Sequence, residues 1–124
     1  MARNRYVIVT TTVDNEAAAA SLANAIVERR LAACVQYAPI RSVYRWKGKV
    51  ESSSEFRLAA KTRAALAAPL QAFLRASHAY ELPEIVVTPI AAGLPAYLAW
   101  VENETLTLRD RPTRKALRIR GRTS

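Results

Sequence analysis

The sequence is poor in the residues on which several common kinds of chemistry depend. Its 124 residues include one cysteine, one histidine and three glycines. One cysteine excludes an internal disulfide, and three glycines leave no glycine-rich loop for a phosphate. No apolar run approaches the roughly 20 residues of a membrane-spanning helix, and the N-terminal residues show no signal-peptide cleavage pattern. We therefore expect a single domain whose cysteine is kept reduced in the cytoplasm, with no membrane span.

Positive charge is concentrated towards the C-terminus. The formal net charge is +9, and residues 105–124 carry seven basic side chains against one acidic, which leaves +3 for the other 104 residues. We therefore divide the chain into a domain over residues 1–104 and a basic, mobile tail over residues 105–124. The T-L-T-L-R alternation could add a short edge strand. The tail arginines, interspersed with Leu117 and Ile119, could bind nucleic acid, or the tail could be solvated and only aid solubility.

The first half of the chain predicts a strand, a helix and a long β-ribbon. Residues 5–12, R-Y-V-I-V-T-T-T, are dense in β-branched side chains and predict a central strand. An alanine-rich helix follows as far as Arg30, with Asp14 as its cap. From Ala33 to Trp46 the chain has 14 residues, about 45 Å if extended, whereas a domain of this size is only about 34 Å across. Lys47-Gly48-Lys49 supplies the turn that returns the chain.

Such a ribbon extends past its own domain and exposes Tyr44 and Trp46 on one face. Because long apolar edges are normally covered, we expect it to pair with other copies of the chain. The alternative is a strand that bends at Pro39 within a monomer.

The second half predicts a helix, a strand and a short terminal helix. The helix opens at Thr62, and Pro69 marks either its true start or a kink. The strand covers residues 82–90, and Pro95 begins the last helix. The order strand, helix, strand, strand, helix, strand is the split β-α-β arrangement of a ferredoxin-like α+β sandwich, which leaves one sheet face for a partner.

Five segments in this order resemble the CutA family, the divalent-cation tolerance proteins. The resemblance implies a trimer of ferredoxin-like subunits whose sheets pack around a three-fold axis and whose ribbons pair between subunits. Two features depart from the family: Ala79 stands where a proline is usual, and the basic tail is additional. The matching segments are R-L-A-A-C-V at 30–35, S-V-Y-R-W-K-G-K-V at 42–50, L-A-A-K-T at 58–62, S-H-A-Y-E-L-P-E-I at 77–85 and P-A-Y-L-A-W at 95–100.

The resemblance also implies a metal site, because members are associated with copper at positions equivalent to Cys34 and His78. A thiolate and an imidazole suit copper or zinc, and the Glu84 carboxylate could complete the set. Their spacing alone does not indicate a site. The alternatives are that Cys34 is a small core residue and that His78 interacts with a helix C-terminus or with solvent.

An anionic ligand is the competing possibility. A trimer would carry three times the charge of +9, or +27, which attracts anions and repels free cations. Trimeric PII-type signalling proteins hold nucleotides in subunit clefts on a similar fold, which is an analogy at the level of fold alone. The basic candidates for such a cleft are Arg45, Lys47, Lys61 and Arg63, and its aromatic candidates are Trp46 and Tyr80.

The remaining aromatic residues indicate contacts between subunits rather than a catalytic site. Tyr44, Trp46 and Trp100 are expected at the trimer interface, where aromatic anchors concentrate. Glu81 and Glu84 flank Pro83 without a nucleophile beside them, so we expect no enzyme. The sequence thus predicts a trimer that acts in divalent metal-ion tolerance with weak copper binding. The alternatives are a sensor of a small anion and a scaffold whose tail binds nucleic acid.

Overall fold

The computed structural model describes residues 4–107, and their elements follow the predicted order. The order of strands and helices is that of a ferredoxin-like sandwich with one additional helix at the end. A 3-10 turn at Ala64–Leu66 leads into the second helix. The elements are β1 (Tyr6–Val13), α1 (Glu16–Glu28), β2 (Cys34–Trp46), β3 (Lys49–Arg63), α2 (Ala67–Ser77), β4 (Ile85–Pro89) and α3 (Pro95–Glu104). The predicted α+β class and the short terminal helix are confirmed.

The four strands form one antiparallel sheet in the order β2-β3-β1-β4. Val9 in the central strand β1 lies opposite Ala60 of β3 and Val87 of β4. Alternate side chains of β1 and β3 point towards α1 and α2, where they meet Ile26, Leu70 and Leu74 in the core. The core therefore lies between the sheet and the two helices. It consists of every second side chain of the strands and of an apolar stripe on each helix.

The ribbon extends well past the rest of the sheet. Strands β2 and β3 pair without interruption from Cys34 opposite Lys61 to Trp46 opposite Lys49. The pairing of β1 with β3 stops at Phe56, so the outer part of the ribbon has no third strand. Lys47 and Gly48 form its turn with φ of 51° and 82°, the left-handed pair that a two-residue type I′ hairpin requires.

Pro39 neither ends the ribbon nor bulges it. Pro39 lies opposite Phe56, and the residues on either side of it keep the same register. Strand β2 is at the edge of the sheet, where the missing N–H of a proline is tolerated. The alternative of a strand bent into two segments at Pro39 is therefore wrong.

The predicted ends of the first helix need correction. The side chain of Asn15, not Asp14, caps α1, since its Oδ1 accepts a hydrogen bond of 2.8 Å from the Ala18 N–H. Asp14 instead accepts from the Asn15 amide at 2.7 Å. The helix ends at Glu28 rather than Arg30 because Arg30 has a φ of 58°, which no right-handed helix contains.

The second helix begins later than predicted. Thr62 belongs to β3, is fully buried and lies opposite Val7. Helix α2 starts at Ala67, so Pro69 occupies its first turn, where a backbone N–H has no partner within the helix in any case. The following strand is also shorter than predicted, and Leu82 lies outside it with 72% of its surface exposed.

Helix α3 packs across one end of the sheet face that α1 and α2 leave open. Tyr6 donates from its hydroxyl to Glu102 at 2.9 Å, and Arg63 donates to the Thr105 hydroxyl at 2.9 Å and to its carbonyl at 3.0 Å. Thr105 is fully buried at the end of the helix. Residues 105–107 form no strand, and the rest of the predicted tail lies outside the described residues.

Candidate functional site

Cys34 is the first residue of β2 and is partly exposed. Helix α3 brings Tyr97 beside it. Burial raises the pKa of Tyr97, and its charge interaction and hydrogen bond with Cys34 raise it further. The Tyr97 ring lies 5.6 Å from the ring of Trp100. The partly exposed thiol therefore interacts with a phenol that its raised pKa keeps protonated at neutral pH.

His78 directly follows the last residue of α2 and uses both ring nitrogens. Nε2 lies 2.8 Å from the Thr12 carbonyl oxygen, and Nδ1 accepts from the Tyr80 N–H at 3.1 Å. Because the Thr12 oxygen only accepts and the Tyr80 N–H only donates, the ring is neutral and carries its proton on Nε2. Neither nitrogen offers a free lone pair to a metal in this arrangement.

The structure does not bring the three predicted metal ligands together within the single chain. Cys34 lies opposite Lys61, whereas Thr12, which binds His78, lies opposite Arg57. Four residues along β3 separate these positions by about 13 Å, and the two ligands lie towards opposite ends of the sheet. Glu84 is exposed in the loop before β4. Across residues 4–107 no group of three or more histidine, cysteine or carboxylate side chains could hold a metal ion.

The residues predicted to form an anion cleft are also far apart in the single chain. Arg45 and Trp46 lie at the ribbon tip, where the Lys47 ammonium is 5.7 Å from the Trp46 ring. Lys61 is twelve residues along β3 from the tip, or about 40 Å, and donates to Gln36. Arg63 is engaged with Thr105. A cleft that used these side chains together would need more than one copy of the chain.

Tyr80 belongs to a cluster at the base of the ribbon that the sequence did not predict. Its hydroxyl donates to Glu55 at 2.8 Å, and its ring centroid lies 4.8 Å from that of His78. Burial and the Glu55 hydrogen bond raise the pKa of Tyr80, with smaller contributions from Asp14 and Tyr44. The S-H-A-Y segment marks two members of the cluster, but only the ribbon register identifies Glu55 as their partner.

The residues predicted at subunit contacts are accessible in the single chain. Tyr44 is 43% exposed and Trp100 is 42% exposed, while Trp46 is partly exposed. On the other face of the ribbon, Val43 is 70% exposed and Val50 is 66% exposed. Apolar side chains on a protruding hairpin are typical of surfaces that a partner covers.

The described part of the chain has a surface depression beside His78. It has a volume of about 370 Å³ and lies between α1 and α2, with Asp14 and His78 at one end. At the other end Arg29 lies 4.8 Å above the ring of Phe73. No helix within residues 4–107 has the length and apolar character to cross a membrane.

Comparisons with known proteins converge on one family. The family model described as CutA1 divalent ion tolerance protein matches residues 7–104. "Protein CutA, chloroplastic" from Arabidopsis thaliana is 47% identical over 100 residues, which are 80% of this chain and 55% of that protein. "Divalent-cation tolerance protein CutA" from Thermus thermophilus is 42% identical over 99 residues, or 79% and 96% of the two chains. The solved structure of CutA from Synechococcus elongatus superimposes with a TM-score of 0.81 at 36% identity, and the match covers 86% and 95%. The chain thus spans about half the length of some of its curated relatives and nearly all of others.

Proposed function

Because this chain belongs to the CutA1 divalent ion tolerance family, we propose that it acts in the response to divalent metal ions as a homotrimer, without enzymatic activity. In this proposal the protein works in the cytoplasm, although the Arabidopsis relative is named as chloroplastic. Ion handling then depends on side chains that bind metal reversibly, and not on a resident cofactor.

The ribbon supports the trimer. Beyond Phe56 its two strands have no third strand, and Val43, Tyr44 and Val50 are exposed along it. Free backbone edges and apolar side chains of this kind are normally covered, and other copies of the chain offer the same complementary edges. The trimer contacts we propose are therefore the ribbon, with Tyr44 and Trp46, and the surface around Trp100.

The position of Cys34 is the single observation that carries the metal-binding part of the proposal. Cys34 is partly exposed at the first residue of β2, so a soft ion such as copper can reach its sulfur. His78 has no free nitrogen and Glu84 is remote, so each subunit offers one thiolate rather than a full set of ligands. Binding through Cys34 is consequently weak and reversible unless neighbouring subunits add ligands.

Native mass spectrometry of the metal-free protein during a copper titration tests this proposal. We expect a trimer that takes up three copper ions, and we expect Cys34→Ser to abolish the uptake while the trimer persists. His78→Asn is the matched control and should bind copper like the unmodified protein. Copper uptake that survives Cys34→Ser would overturn the metal proposal, and a monomeric spectrum would overturn the homotrimer.

A sensor of a small anion is the second candidate function. Arg45, Lys47 and Lys49 are all exposed at the ribbon tip, where they could approach another subunit of the proposed trimer. A panel of mononucleotides in the same mass spectrometry experiment distinguishes the two functions. Nucleotide adducts that disappear in an Arg45→Gln, Lys47→Gln variant, without specific copper uptake, would favour the sensor.

Nucleic-acid binding by the tail remains a separate prediction, because residues 108–124 lie outside the described part of the chain. Retention on a nucleic-acid column at low salt, lost on deleting residues 109–124, is the expected result for a binding tail. No retention of the full-length protein would refute that role.

A further inference from the structure

A cleft between the end of α1 and helix α3 combines exposed apolar side chains with two carboxylates. It has a volume of about 400 Å³, and its floor includes the buried Ala32 and Ala33. Val27 of α1 and Trp100 of α3 line it and are 41% and 42% exposed. Apolar side chains around a depression are typical of a surface that a partner covers. We propose that residues 116–120, A-L-R-I-R, dock into this α1–α3 cleft of their own chain.

The α1–α3 cleft is bordered by the negative ends of two helices. Glu28 is the last residue of α1 and Glu104 is the last residue of α3, and both line the cleft. The C-terminal end of a helix carries about half a negative charge, so a carboxylate is unfavourably placed there. Within residues 4–107 neither carboxylate forms an ion pair with a basic side chain. A basic segment in the cleft would therefore offset an unfavourable arrangement of charge.

The two arginines that follow α1 leave these carboxylates accessible to another cation. Arg29 lies on the side of α1 that faces α2, with its guanidinium 4.8 Å above the ring of Phe73. Arg30 lines the cleft, but its guanidinium donates to the backbone carbonyl of Glu104 at 3.0 Å. One guanidinium thus faces two carboxylates and two helix ends, so the cleft attracts positive charge.

The C-terminal residues of the chain have the complementary composition. Residues 105–124 carry seven basic side chains against one acidic. Leu117 and Ile119 alternate with Arg118 and Arg120, so an extended segment would present its apolar side chains on one face and its arginines on the other. The apolar face covers the exposed walls of the cleft. The long arginine stems let the guanidinium groups reach the carboxylates at its rim.

The segment is close enough in sequence to reach the cleft. The described chain ends at Thr107, three residues after Glu104, which itself borders the cleft. Residues 108–115 can span at most about 28 Å, which allows the chain to turn back, and closing a loop of this length costs little more entropy than closing a shorter one. A short tether gives an effective concentration in about the millimolar range. A contact that would be weak between separate molecules is therefore populated within one chain.

Amide hydrogen exchange of the full-length protein, followed by NMR, tests the docking. A docked segment exchanges only when it opens, so residues 117–120 should exchange about tenfold more slowly than residues 122–124 after correction for intrinsic rates. Leu117→Ser combined with Ile119→Ser should abolish this protection and shift the indole N–H resonance of Trp100. Because Trp100 is also a proposed subunit contact, native mass spectrometry of the same variant should show the oligomeric state of the unmodified protein.

Isosteric substitutions of the carboxylates test the role of charge. Glu28→Gln combined with Glu104→Gln should reduce the protection of residues 117–120 by about threefold, the effect of losing two exposed ion pairs of modest strength. Glu16→Gln combined with Glu81→Gln is the matched control, because it makes the same change of net charge at exposed residues outside the cleft. The control should exchange like the unmodified protein. Equal losses of protection in the two double variants would overturn the proposal, since the attraction would then not be specific to the cleft.

Four further results would overturn the proposal. The first is exchange of residues 117–120 at intrinsic rates, and the second is a Trp100 resonance that is unchanged in the Leu117→Ser, Ile119→Ser variant. The third is dissociation of that variant into smaller species, because the segment would then be a contact between subunits. The fourth is protection that appears only when nucleic acid is added, which would assign the segment to nucleic-acid binding. None of these measurements involves copper, so the docking and the metal proposal fail independently.

Discussion

Replacing both Val43 and Val50 with threonine should weaken the association of subunits in the proposed trimer without disturbing the ribbon itself. The two valines lie on the same face of the ribbon, since Val50 is opposite Arg45 and Val43 is two residues from Arg45. Threonine is nearly isosteric with valine, and both are β-branched residues that favour strands. The substitution therefore changes the polarity of the outer face and leaves its shape and strand propensity in place.

The exposed fractions set the size of the effect. Val43 is 70% exposed and Val50 is 66% exposed in the single chain, and burying a whole valine side chain contributes at least about 1.5 kcal/mol. Covering the exposed part of each valine in a trimer is then worth about 1 kcal/mol. The pair contributes about 2 kcal/mol per subunit and about 6 kcal/mol per trimer, which corresponds to about 10⁴ in the dissociation constant.

Light scattering during a guanidinium titration, at two protein concentrations, measures this change. We expect the double variant to dissociate at lower denaturant than the unmodified protein. Identical dissociation of the double variant would refute the argument that the outer ribbon is buried between subunits.

Two further predictions concern stability and titration. Asn15→Ala should lower the free energy of unfolding by about 1 kcal/mol in urea denaturation, because it removes the side chain that accepts from the Ala18 N–H. Asp14→Ala should cost less than half as much, and equal losses would contradict the assignment of the cap. The raised pKa of Tyr80 means that the folded chain holds this proton more tightly than the unfolded chain does. Its contribution to stability is therefore complete below about pH 10 and is lost as the pH rises above that value. In an alkaline titration of tyrosinate absorbance, Tyr80→Phe should remove the tyrosine that ionises last, and an unchanged final step would show that another tyrosine has the highest pKa.

The sequence predicted the elements whose pattern is local and repeated. The dense β-branched run that became β1 and the alternation along the ribbon both follow from the two-residue period of a strand. The extension of the ribbon past the rest of the domain was predictable as well, because an extended chain rises by a nearly constant distance per residue. The lysine and glycine at residues 47 and 48 indicated the turn, and their positive φ angles explain why.

The element ends were harder to predict because adjacent residues offered equivalent chemistry. Asp14 and Asn15 are both good helix caps by residue type, and only the path of the backbone decides which side chain reaches the Ala18 N–H. Threonine is a common residue type at a helix start. Thr62 instead pairs with Val7, so β3 continues through this position and Thr62 is buried. Tertiary pairing here outweighed a local preference.

The sequence by itself determined the fold class, the long ribbon and the family, because these depend on periodicity and on motifs within short segments. Only the tertiary structure decided which atoms the candidate site residues contact. His78 has its Nε2 partner 66 residues away in Thr12, and Tyr80 has Glu55 25 residues away. Hydrogen bonds act over about 3 Å and demand defined directions. A sequence pattern specifies which residues can form such bonds, and only the packed chain specifies which atoms come within reach.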